Sequence, residues 1–169
     1  MIITIDGPAG SGKSTVARQL AEKLNIYYLY TGLLYRAAGY ILIDRQKKSI
    51  SDLQNLKQED LEFIKDISYK YVRNEPQVYY KDENIKMYLN HASVDQAASI
   101  VSANKIVRDL LIDTQRDIAK SYDIVADGRD CGSVVFPNAD FKFFLTADLD
   151  TRALRVLGDE DRLNKDISL

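Results

Sequence analysis

With 169 residues, 46% of them hydrophobic and 28% charged, the chain has the composition of a folded globular domain with one core and room for a small insert. A formal net charge of -2 leaves no basic excess to attract nucleic acid, and no apolar run reaches the length of a membrane span. A single cysteine, Cys131, excludes a disulfide framework, and a single histidine, His91, excludes histidine triads and histidine-rich metal sites. The expected setting is cytoplasmic, because the first residues read at once as a strand and leave no room for a signal peptide.

In chain order, Met1-Ile2-Ile3-Thr4-Ile5 reads as a buried strand and Val16 to Leu24 as an amphipathic helix. Between them stands Gly7-Pro8-Ala9-Gly10-Ser11-Gly12-Lys13-Ser14-Thr15, which carries the pattern G-x-x-x-x-G-K-[ST] in its required context of strand, glycine loop and helix. Glycines let successive backbone N–H groups curl round a polyphosphate, and the helix N-terminus adds partial positive charge. Lys13 is then expected to reach the β- and γ-phosphates and Ser14 to offer its hydroxyl to Mg²⁺, so the loop predicts binding of a nucleoside triphosphate.

Asn25 to Leu29 reads as a second strand, and Thr31-Gly32-Leu33-Leu34-Tyr35-Arg36 opens a helix that runs to about Asp44 with Thr31 as its N-cap. A polar loop follows, then one or two short helices between Asp52 and Ser68. Tyr71-Val72-Arg73, Gln77-Val78-Tyr79-Tyr80 and Ile85 to Leu89 are β-like and separated by turn residues, which predicts a small antiparallel unit. His91 falls in a turn at the surface. Helical periodicity returns from Val94, with Val107, Leu110, Leu111, Thr114 and Ile118 as its apolar stripe. Ile124-Val125-Ala126 and Phe141 to Leu145 read as two more core strands, and Leu149 to Val156 as a final helix. Strands alternating with helices imply an α/β fold, a parallel sheet covered on both faces.

Ligands of such sheets collect at the carboxyl ends of the strands. Arg36, Arg129, Arg152 and Arg155 fall at or near these ends, and guanidinium forks bind phosphate bidentately. Asp127 and Asp130, around Gly128 and Arg129, either orient Mg²⁺ through water or cap the turn and pair with arginines. Cys131 reads as a small apolar filler.

The glycine loop, the run Thr31 to Arg36, the stretch Ala97-Ala98-Ser99-Ile100-Val101-Ser102 with Val107-Arg108, and above all Asp127-Gly128-Arg129-Asp130-Cys131-Gly132-Ser133-Val134-Val135-Phe136-Pro137 resemble bacterial cytidylate kinase, a P-loop nucleoside monophosphate kinase. The Asp127 to Pro137 block is far more specific than the glycine loop, and the likeness runs from Met1 to about Arg155. It implies a single kinase domain over 1–169 with a three-layer P-loop core. Within it, 31–108 would bind the monophosphate, with a β-rich insert at about 69–93, and 152–166 would form a shortened lid.

By the same resemblance, Gly7, Pro8, Ala9, Gly10, Ser11, Gly12, Lys13, Ser14 and Thr15 would hold ATP, with Mg²⁺ on Ser14. Thr31, Arg36 and Arg129 would hold the phosphate of CMP or dCMP, Ser99 and Arg108 would read the cytosine edge, and Asp166 the ribose or base. Lys13, Arg129, Asp130, Arg155 and Arg162 would carry catalysis, and the enzyme would be a monomer with no nucleic-acid or membrane partner. The chain departs from the family at Tyr30, where an aspartate is usual, between Asn90 and Val94, where the insert is shorter, and at Leu169, where a second lid arginine would stand. The compressed lid, and the lack of a counterpart to the family's last strand and helix, lead to an expectation of missing mobile segments. Two alternatives stay open: a P-loop kinase for another small acceptor, and a catalytically impaired nucleotide-binding module.

Overall fold

A computed structural model describes residues 1–158. In chain order the elements are β1 (Ile2–Asp6), α1 (Lys13–Leu24), β2 (Tyr27–Tyr30), α2 (Gly32–Tyr40), β3 (Ile67–Val72), β4 (Glu75–Tyr80), β5 (Glu83–Asn84), α3 (Ala92–Ala103), α4 (Lys105–Ser121), β6 (Ile124–Gly128), β7 (Phe141–Phe144) and α5 (Leu149–Leu157). Single π-helical turns at Ile41–Arg45 and Cys131–Val135 and 3-10 segments at Asp52–Asn55, Gln58–Asp66 and Lys86–Tyr88 join them.

The described residues divide into two compact units, 1–31 with 115–158, and 32–114. The first holds a parallel sheet in the order β2-β6-β1-β7. Its middle strands are apolar runs because both of their faces are covered. Ile3, Ile5, Tyr28 and Val125 meet Ala17 and Ala21 of α1 on one face. Thr4, Leu29, Ile124 and Ala126 are fully buried on the other. β7 stands at the edge. The sequence predicts it as a core strand, but all four of its residues are exposed, because among the described residues it packs substantially on β1 alone and no helix covers it as α1 covers β2.

The second unit packs α2 against α3, and Gly39 makes the close approach possible, because a Cβ there would lie 2.9 Å from the Ala98 nitrogen. Beside the helices β3, β4 and β5 form the antiparallel sheet expected from the sequence. The turn is tighter than predicted. Val72 pairs with Glu75 across Arg73-Asn74, both at positive φ (54° and 64°), as a two-residue hairpin loop with matching twist demands. Pro76 therefore lies inside β4, where β5 does not reach and no ladder bond is lost. The predicted strand Ile85 to Leu89 is instead a 3-10 turn that buries Ile85 and Leu89 and exposes Met87. Likewise α2 ends at Tyr40 and passes into a π turn rather than continuing to Asp44.

Candidate active site

β1 delivers its chain into the glycine loop, and the loop's geometry explains its residues. Gly10 and Gly12 sit at φ 75° and 89°, left-handed conformations that L side chains rarely adopt. Gly12 is also the N-cap of α1, with no side-chain cap bond and no acidic residue in the first turn. The first N–H groups of a helix lack intrahelical acceptors, so this end is built to accept an anion. Lys13 Nζ donates to the Pro8 carbonyl at 3.3 Å, folding the ammonium back over the loop.

The sheet then brings Asp127 beneath the helix. In the parallel register Ile5 pairs with Asp127 and Tyr28 with Val125, so Ile5, Tyr28, Val125 and Asp127 share the α1 face. Ser14 Oγ donates to Asp127 Oδ2 at 2.6 Å, and the Tyr28 hydroxyl donates to Oδ1 at 3.0 Å. Asp127 is only 1% exposed. Burial pushes its carboxyl above the usual range, opposed by the Ser14 and Tyr28 bonds and by the Lys13 charge. Of the two roles the sequence leaves open for this carboxylate, pairing with arginine is not the one seen: its partners are hydroxyls.

Asp6, one residue beyond Ile5, points to the opposite face. Its Oδ1 and Oδ2 accept the backbone N–H groups of Cys131 and Gly132, both at 2.8 Å. This ties the Asp127 to Pro137 block to the central strand. Gly132 has no side chain because a Cβ would fall 2.6 Å from Thr4 Oγ1. Cys131 is buried as expected, and burial pushes its thiol well above the usual range. Thr31 does not cap α2 through its side chain; its hydroxyl donates to the Asp127 carbonyl at 2.7 Å and locks the end of β2 to β6.

From α5, Arg155 Nη1 donates to the Gly10 and Ser11 carbonyls at 3.2 and 3.3 Å, and Arg152 Nη1 reaches the Ala9 carbonyl at 3.5 Å. Both guanidinium groups therefore lie against the glycine loop through its carbonyls. Arg129 is exposed and, among the described residues, holds no hydrogen bond or ion pair, whereas Asp130 caps the π turn with its carbonyl, which accepts the Val134 N–H at 2.9 Å.

In the second unit Arg36 is held by the Leu89 carbonyl at 2.9 Å and by Asp95 at 2.6 Å. Ser99 is exposed on α3, and Arg108 stands in the first turn of α4. Arg108 Nη1 donates to the Ser102 carbonyl at 3.4 Å, and Ser102 Oγ donates to the Ser99 carbonyl at 2.9 Å. Arg162 and Asp166 lie outside the described residues.

Three residues that matter here escape the sequence reading. Neither Asp6 nor Asp95 is singled out there, and Tyr28 is read only as part of the second strand. The one available signal was for Asp6, an aspartate directly before a glycine loop at a strand's carboxyl end.

A parallel sheet, a glycine loop entering a helix, and a buried aspartate under the loop's serine define a P-loop fold of the nucleoside monophosphate kinase type. A sequence profile of the cytidylate kinase family matches residues 3–168. The cytidylate kinase of Ureaplasma urealyticum serovar 10 is 40% identical over 165 residues, 98% of this chain and 70% of that protein. The cytidylate kinase of Alkaliphilus oremlandii is 38% identical over 180 residues, 98% of this chain and 77% of that protein. A bifunctional pantoate ligase/cytidylate kinase of Prochlorococcus marinus strain AS9601 is 40% identical over 165 residues, and the chain spans 31% of its length. The chain belongs to the cytidylate kinase family. Among the described residues no helix is long and apolar enough to cross a membrane.

Proposed function

We propose that this chain transfers the γ-phosphoryl group of ATP to CMP or dCMP. The observation that carries the reading is the family match over residues 3–168, on a chain whose glycine loop, Lys13 and the Ser14–Asp127 pair are assembled at one place. In this reading 1–169 is one kinase domain, 31–108 binds the acceptor with its insert at about 69–93, and 152–166 serves as the lid.

The donor set suits Mg²⁺. One hydroxyl, Ser14, has a carboxylate directly behind it, and no cluster of three or more metal-ligating side chains exists among the described residues. Mg²⁺ retains waters and phosphate oxygens rather than filling a protein cage. When bound, it neutralises charge on the transferring phosphates. Gly7 to Thr15 hold the donor's phosphates through backbone N–H groups, and Lys13 supplies a mobile positive charge beside them. Arg155 adds charge from behind the loop, where the phosphoryl group becomes more spread in the transition state. The acceptor's phosphate oxygen is already anionic, so no protein base is needed. Arg36 and Arg129 hold that phosphate, with Thr31 fixing the strand end beside it. Ser99 and Arg108 satisfy the O2, N3 and N4 groups of cytosine, which leaves a purine with unpaired groups. Asp130 orders the acceptor site, Asp166 binds ribose or base, and Arg162 closes on phosphate.

The test is a panel of CMP, dCMP, UMP, AMP and shikimate, with ADP release as readout. Turnover with CMP or dCMP and little with the rest supports the reading. Melting that ATP raises, with no ADP formed on any acceptor, would replace it with a nucleotide-binding module. Arg129→Ala should lower kcat/KM for CMP by about a hundredfold while ATP affinity changes little, the loss typical of removing one charged donor. Equal losses for both nucleotides would remove Arg129 from the acceptor site.

A further inference from the structure

The carboxylate of Asp127 has two donors, and only one belongs to the glycine loop. The other, Tyr28, stands on β2 two residues out of register, since Tyr28 pairs with Val125 rather than with Asp127. On one face of a sheet such a diagonal neighbour lies about 7–8 Å away at Cα, within the span of a tyrosine but not of a shorter side chain. The ring is held on every side. Tyr28 is 5% exposed and belongs to the α1 core, the Tyr30 ring stacks on it at 6.1 Å, and the Arg18 guanidinium lies 5.6 Å over its centroid. A ring so confined gives its hydroxyl one position.

That position has a chemical consequence. A carboxylate with a single donor is free to turn and offer either oxygen. A second, rigid donor on Oδ1 leaves Oδ2 for Ser14. The Ser14 hydroxyl has one proton, and with that proton committed to Oδ2 its lone pairs face away from Asp127.

We propose that Tyr28 is a positioning residue of the donor-nucleotide site, whose hydroxyl orients the Asp127 carboxylate so that Ser14 presents its lone pairs to the cation of the nucleotide complex. This rests on the reading above that Ser14 takes Mg²⁺. Tyr28 acts through Asp127, which accepts its hydroxyl, and that hydroxyl is also within hydrogen-bonding reach of Ser14 itself.

The experiment is calorimetric titration of the full chain and of Tyr28→Phe with ADP, once with Mg²⁺ and once with EDTA. Phenylalanine keeps the ring and removes only the hydroxyl. In the unaltered chain Mg²⁺ should tighten ADP binding. In Tyr28→Phe that gain should shrink about tenfold, while metal-free affinity stays within about twofold, the size of one lost hydrogen bond to a charged group. Equal affinities in both proteins under both conditions overturn the proposal, and a parallel loss with and without Mg²⁺ reduces Tyr28 to a structural role. An unaltered chain that fails to bind ADP at all overturns the nucleotide reading itself. A double-mutant cycle with Asp127→Asn supplies the second measurement. Tyr28→Phe should have no further effect on the Mg²⁺ gain in that background, and a full additional loss would show that Tyr28 acts elsewhere.

Discussion

Asp6 spends both carboxylate oxygens on backbone N–H groups, 8% exposed and within 2.8 Å of each. Charge-assisted bonds of this kind, once lost, leave buried donors without acceptors. Asp6→Asn keeps the shape but turns an acceptor into an NH₂ group facing an N–H. It should cost about 2 kcal/mol of stability, read by chemical denaturation, and should loosen the turn that carries Arg129 and Asp130. A cost near zero would mean the two amides find other partners. The glycine loop and its lysine were legible residue by residue, because their identities are set by local backbone needs at Gly10 and Gly12. Asp6, Tyr28 and Asp95 were not, because each acquires its role from a partner far along the chain or on another helix, and periodicity carries no record of partners.

At the scale of elements, α5 depends on the residue that caps its N-terminus. Asp148 accepts the Thr151 N–H at 2.8 Å and the Thr151 hydroxyl at 2.7 Å, and these bonds hold its carboxyl below the usual range. A depressed folded-state value means the stabilisation is complete above the ordinary aspartate range and is lost as pH falls through the lowered value. Acidification below about pH 4 should therefore speed amide exchange at Thr151 and Arg152 several-fold beyond the intrinsic rate, and Asp148→Ala should remove that pH dependence. An unchanged profile in the variant would assign the effect elsewhere. Since Arg152 and Arg155 reach the glycine loop from this helix, fraying at its start withdraws charge from the loop. The strands of the sheet and the long helices were legible from apolar runs and period. The short pieces were not. Ile85 and Leu89 are apolar enough for a strand, yet their spacing of four serves a tight helical turn, and Pro76 sits within a strand that lacks a neighbour on that side.

Over the whole molecule, the sheet order β2-β6-β1-β7 separates chain neighbours and joins chain strangers. Ile2 pairs with Ile124 and Ile3 with Phe141, whereas every contact within 32–114 is made by a continuous stretch. Closing long loops costs entropy before pairing repays it. In pulse-labelled refolding, amides of β3, β4 and α3 should gain protection before those of β1 and β6, and simultaneous protection of both groups would contradict this order. The alternation of strand and helix made the parallel class readable, but the order of the strands is a matter of three-dimensional partnership that no run of residues records.

The placement of β1 has a consequence for synthesis. Within this domain β1 is made before both of its strand neighbours, so it has α1 to pack against early but waits for its backbone partners while more than a hundred further residues are added. Until Phe144 emerges, both edges of that strand stay open for pairing with another chain, and premature arrest leaves them so.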